Sequence, residues 1–209
     1  MDKQKDYEKQ VEIGIQHLYQ NDKEIAKLIE KYPKFNIKPT TNYFEDLVAS
    51  IIMQQLSMKA GRAIYNKFRA YFNNNITPEK ILKLNSEKLR ELGISNQKIN
   101  YLLSLSQNCV EGNIDLSKIS QMSDVQIREK LLQVKGIGNW TVDMFLIFTL
   151  GHLNVLPFTD LGIRKAIAKI YYSKELVNKQ EMLNIQLEKK WSPYSTIASW
   201  YLWRSLEND

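Results

Sequence analysis

Apolar residues recur at helical spacing through most of the chain. In "YFEDLVASIIMQQL" the positions Phe44, Leu47, Val48, Ile51, Ile52 and Leu56 fall on one side of a helix, which predicts a single buried stripe. "SEKLRELG" predicts a short helix with Ser86 as its N-cap and Gly93 just past its end. "SNQKINYLLSLSQNCVEG" repeats that pattern from Ser95 to Gly112, and "SDVQIREKLLQVKG" opens on a capping box of Ser123 with Gln126 and runs to Gly136. "DLGIRKAIAKIYY" sets Ile163, Ile167 and Ile170 on one side. "SPYSTIASWYLWRSL" predicts a last helix with Pro193 in its first turn, where the missing N–H costs nothing. "LNVLPF" reads as a short extended connection, and no segment alternates as a strand would. The expectation is an all-α fold of about ten helices, with boundaries good to a few residues.

Composition narrows the function classes. Five prolines and eight glycines in 209 residues leave little room for long linkers, so one domain is expected. The 29 Lys and Arg against 23 Asp and Glu give a net charge of +6, which suits a polyanionic partner and equally a lysine-rich solvated surface. A single cysteine, Cys109, excludes an internal disulfide and any four-thiolate iron–sulfur site; its spacing from Leu102 and Leu105 makes it a small buried apolar residue. Two isolated histidines, His17 and His152, make no zinc site, and no side-chain pattern requires a metal or a cofactor. The polar start "MDKQKDYEKQ" is unlike a signal peptide, and the longest apolar run, Met144 to Leu150, is too short to span a bilayer. These features lead us to expect a soluble cytoplasmic protein without a membrane partner.

The most specific local signal is "KGIGNW". Gly136 and Gly138 flank Ile137, which permits a tight turn between two helices with Ile137 pointing inward. The start of the following helix presents backbone N–H groups, and Lys135 adds a positive charge, so the turn could hold a phosphate of a nucleic-acid backbone. An ordinary helical hairpin with a glycine cap accounts for the same residues. Twenty residues after Trp140, "LPFTDLGIRKAI" places Asp160 at a helix start after a proline turn, as an N-cap or as a carboxylate aimed at a site. Asp143 is the rival carboxylate.

"LLQVKGIGNWTVDMFLIF" followed by "LPFTDLGIRKAI" resembles the helix-hairpin-helix DNA glycosylases. "FEDLVASIIMQQLSMKAGRAI" matches that family's earlier helix pair, and "WSPYSTIASWYLWR" resembles the C-terminal segment of its alkylated-base branch, the DNA-3-methyladenine glycosylase II type in compact form. The resemblance runs from about Tyr43 to the end of the chain. It implies one glycosylase domain over 1–209 with two helical lobes: a central one at about 43–155, a second from the N- and C-terminal segments, and an active-site cleft between them. It implies a monomer acting on double-stranded DNA that contains alkylated bases. Asp160 becomes the catalytic carboxylate. Trp140 and Tyr194 match the aromatic base pocket, and Met144 stands where the family often has a tyrosine. Lys135, Gly136, Ile137, Gly138 and Thr141 match the DNA-binding hairpin. Gln54 and Gln55 fall in the loop that enters the DNA stack, with Gln55 at the wedge position. Lys59, Arg62, Lys98 and Arg164 are further candidate phosphate contacts. Strand-cutting relatives carry a lysine at the position of Trp140, and a tryptophan forms no Schiff base, so base release without strand scission is expected.

Three other readings use the same residues. A glycosylase for another lesion would share the fold, although the missing lysine at 140 argues against the bifunctional oxidised-guanine type. A non-catalytic helix-hairpin-helix module would bind DNA without needing Asp160 or the aromatics. An unrelated helical scaffold would show no salt-dependent DNA binding.

Overall fold

The structure, a computed structural model, describes residues 3–207. Among the described residues there is no β-strand; twelve α-helices are joined by turns, one 3-10 segment and two π-helical segments. Helices α1 (Lys3–Asn21) and α2 (Lys23–Lys31) are followed by an extended connection. Then come α3 (Tyr43–Met53), α4 (Met58–Tyr71), α5 (Pro78–Leu82), α6 (Ser86–Glu91), α7 (Asn96–Val110), α8 (Asp124–Leu131) and α9 (Asn139–Met144). The last three are α10 (Leu161–Ile167), α11 (Lys179–Glu188) and α12 (Ser195–Arg204). The chain forms two compact units: Thr40–Phe145, and the residues up to Pro39 together with those from Leu146 onward. No described helix is long and apolar enough to cross a membrane.

In the first unit, the α3 stripe of Leu47, Val48, Ile51 and Ile52 is buried with Phe68, Ile81, Leu89, Leu102 and Leu105. The expected ends of the stripe differ. Phe44 is half-buried, and Leu56 is 39% exposed because the helix stops at Met53 and Gln55 takes a left-handed φ of 55°. Asn85, not Ser86, caps α6, its Oδ1 accepting from the Lys88 N–H at 2.8 Å; Gly93 follows the helix at φ 91° as expected. Ser95 caps α7, and the Ser123–Gln126 capping box is present. Helix α8 ends at Leu131, and turns rather than helix carry the chain to Gly136. Cys109 is half-buried, not a core residue, and burial pushes its thiol up to about 11.

The second unit is organised around Asp22. Its Oδ1 caps α2, accepting from the Glu24 and Ile25 N–H groups at 2.9 and 3.2 Å. Its Oδ2 accepts from the Tyr171 hydroxyl at 2.7 Å and the Trp191 indole at 2.8 Å. Four donors on one buried carboxylate join segments distant in sequence, and the Tyr171 hydroxyl titrates far above its ordinary range through burial and the neighbouring Asp22 charge. Ile163 and Ile167 are core residues and Ile170 is half-buried. Pro193 lies two residues before α12 rather than inside its first turn. The expected central lobe ran to about 155, whereas residues 146–155 lie with the C-terminal segment. Thr196 explains this: its N–H donates to Leu153 O at 3.0 Å, its hydroxyl to His152 O at 2.6 Å, and it accepts from the Val155 N–H at 2.9 Å.

Candidate active site

The glycine hairpin is built by one glycine, not two. Gly136 has φ 87°, and a Cβ added there would lie 2.1 Å from the Tyr101 ring. Positive φ disfavours a side chain, and the aromatic ring leaves no room for one. Ile137 points inward as expected, with its N–H bonded to Val134 O at 3.0 Å. Gly138 has an ordinary φ of −105°, and a Cβ there would meet nothing within 4 Å. Nothing inside the protein demands glycine at 138. Lys135 is exposed, and its backbone N–H is taken by the Ser104 hydroxyl at 3.2 Å.

Gln54 and Thr141, both expected at the DNA-binding hairpin and loop, hydrogen-bond to each other. Gln54 Nε2 donates to Gly136 O at 3.0 Å and to Thr141 Oγ1 at 3.3 Å. Thr141 is buried and Gln54 half-buried. Lys98 donates to Ile52 O and Gln54 O at 2.7 and 2.8 Å, and Arg164 Nε donates to Val177 O at 2.9 Å, so both serve backbone carbonyls within their own unit. Gln55, Lys59 and Arg62 are exposed. Asp143 is buried and ion-paired with Arg128, which accounts for the rival carboxylate as a structural one. Trp140, 41% exposed, is not a core aromatic; Met144 follows one helical turn later and is half-buried.

Asp160 sits where a turn meets α10. Its N–H bonds to Pro157 O at 3.0 Å, and its Oδ1 accepts from the Ile163 N–H and from the Trp203 indole, each at 2.9 Å. The residue is 9% exposed. Gly162 allows this approach, since a Cβ there would come 3.1 Å from Asp160 Oδ1 and 3.4 Å from Trp203 Cδ1. The Trp203 ring stacks on Phe148, with centroids 5.7 Å apart and planes tilted by 28°. Phe148 is 42% exposed and lies in the π-helical segment Phe145–Thr149. An oriented carboxylate and a partly exposed aromatic stack thus occupy one neighbourhood. Tyr194 is not among these partners. Its ring stands 5.4 Å from the His17 ring, and a Cβ added at Gly14 would lie 2.5 Å from it, so it packs on α1. Trp203, which donates to Asp160, lies near the end of α12, the helix that Tyr194 precedes. No cluster of three His, Cys, Asp or Glu suited to a metal occurs among the described residues.

Residues 48–193 match the family model of the HhH-GPD superfamily base excision DNA repair proteins. The chain belongs to this superfamily. DNA-3-methyladenine glycosylase 1 of Schizosaccharomyces pombe is 34% identical over 197 residues, which are 93% of this chain and 86% of that relative. A solved structure of the 3-methyladenine DNA glycosylase from the same yeast, in complex with abasic DNA, superposes with a TM-score of 0.81 at 31% identity, covering 92% of this chain and 95% of that one. A DNA-3-methyladenine glycosidase from Bacillus halodurans superposes with a TM-score of 0.82 at 31% identity, covering 93% and 89%. The superfamily match contains the hairpin and Asp160 and ends before Trp203.

Proposed function

We propose that this protein is a monofunctional DNA glycosylase of base excision repair that removes alkylated purines from duplex DNA and leaves an abasic site. The observation that carries the reading is the Asp160 carboxylate, held by the Ile163 N–H and the Trp203 indole beside the Trp203–Phe148 stack. A DNA-binding module needs neither. The names of the relatives and the abasic DNA bound to one of them support the same reading.

The chemistry follows from charge. An enzyme acting on a base must take it out of the stack. An alkylated purine is cationic, so when its N-glycosidic bond breaks, the base leaves with the bonding electron pair as a neutral molecule and needs little help from an acid. Positive charge then develops on the sugar, and the Asp160 carboxylate stabilises it. Water adds at C1′ and loses its proton, with Asp160 placed to orient it. The electron-rich faces of Phe148 and Trp203 suit a cationic ring. Gly138, bare without internal cause, lets a phosphate approach the start of α9 next to Lys135. On the loop after α3, Leu56 and Met58 join Gln55 as exposed candidates for the gap left by the base.

The test is base release from a methylated duplex, with strand scission scored before and after alkali. The proposal expects free methylpurine and strand breaks only after alkali treatment. Binding without release would make the protein a DNA-binding module or a glycosylase for another lesion, and breaks before alkali would overturn the monofunctional assignment.

A further inference from the structure

The loop after α3 has a fixed root and an exposed tip. At the root, Gln54 joins three elements. Its carbonyl, with that of Ile52, accepts from Lys98 in the first turn of α7. Its side-chain amide donates to Gly136 O in the hairpin and to Thr141 Oγ1 at the start of α9. Immediately beyond it the backbone turns through the left-handed φ of Gln55, and every residue from Gln55 to Ala60 is exposed, including the apolar Leu56 and Met58, the latter 59% exposed. Burial lowers the Lys98 pKa, yet its ammonium sits against the carbonyl end of α3, where positive charge is favoured. A lysine with two internal carbonyls is committed to the fold, unlike one that reaches a phosphate.

We propose that Gln54 and Lys98 are positioning residues for nucleotide eversion, locking the exposed 55–58 tip to the glycine hairpin so that both engage DNA as one body. The inference rests on the glycosylase reading. Unstacking a base costs a few kcal/mol, and a tip can supply that push only if its root does not yield against the element that grips the backbone. The amide of Gln54 is the direct tie between root and hairpin, and Lys98 fixes the carbonyl of the same residue, so loosening either lets the tip recoil.

The experiment compares wild type with Gln54→Met, Thr141→Val, Lys98→Met and Lys98→Arg on methylated duplex carrying 2-aminopurine beside the lesion. In Gln54→Met and Lys98→Met, single-turnover base release is expected to fall by about tenfold or more. The 2-aminopurine signal of eversion should fall with it, while affinity for abasic-site DNA stays within about twofold because phosphate contacts are intact. Thr141→Val should weaken the eversion signal in the same sense, and Lys98→Arg should restore most of it. Release at wild-type rate in both methionine variants overturns the proposal. So does a parallel fall in melting temperature and abasic-site affinity with a normal eversion signal, which marks a merely structural role. A salt dependence of binding that becomes shallower by about one unit in Lys98→Met makes Lys98 a phosphate contact and also overturns it. If wild type releases no base, the glycosylase reading fails, and the eversion signal and abasic-site affinity still decide the positioning role. A wild type that binds no duplex overturns both.

Discussion

The hairpin and the Asp160 neighbourhood use polar groups in opposite ways. At the hairpin, polar side chains face inward: Gln54 ties Gly136 to Thr141, Lys98 fixes Gln54, and Asp143 pairs with Arg128. Lys135, Gly138, Asn139 and Trp140 are among the residues the hairpin leaves exposed. Around Asp160, internal donors orient one carboxylate oxygen, and the exposed partner is Phe148, stacked on one of those donors. The first region suits a grip that reads no sequence, and the second suits a charge that must be aimed. The difference shows that a polar residue near a functional loop is as often scaffold as tool, and that its hydrogen-bond partners decide which.

The comparison can be broken at several points, taken from the largest effect down. Gly136→Ala combines left-handed strain with a clash against Tyr101 and should cost about 3 kcal/mol of stability by denaturant unfolding; a change near zero would mean that the hairpin relaxes easily. Trp203→Phe keeps an aromatic ring but removes the indole N–H, a hydrogen bond to a charged group worth about 1.5–3 kcal/mol. Base release in single turnover should drop by about 10- to 100-fold, with DNA affinity little changed; loss of affinity alone would make Trp203 a binding residue and not an orienting one. Gly138→Ala should leave unfolding within about 0.5 kcal/mol of wild type yet weaken duplex binding, measured by fluorescence anisotropy. Unchanged binding would remove the hairpin's role as the grip.

The sequence was most legible where interactions are local. The Ser95 cap and the Ser123–Gln126 box involve partners three residues away, and the α3 stripe needs only helical spacing. Where two competent neighbours compete, as Asn85 and Ser86 do, pattern alone does not choose. Leu56 continues the α3 period in sequence but lies beyond a left-handed residue that ends the helix. Asp160 was visible as a helix start, while its donor Trp203 lies 43 residues further on, and nothing in an aromatic-rich helix says which ring turns toward the carboxylate. For that reason the sequence pointed to Tyr194, which rests on Gly14 and His17, and not to Trp203. Phe148 lies in a π-helical segment within an almost wholly apolar run, so no periodicity singles it out. The internal partners of Gln54, Thr141 and Lys98 were not legible because they are far away in sequence.

The most direct test of the central claim is Asp160→Asn on methylated duplex, with base release and DNA affinity measured on the same samples. Asparagine keeps an oxygen for the Ile163 N–H and the Trp203 indole, so the fold and DNA binding should persist while the negative charge is lost. The account predicts base release reduced by at least about 100-fold with affinity close to wild type. Release at the wild-type rate would contradict it, because the carboxylate would then be no more than a helix cap.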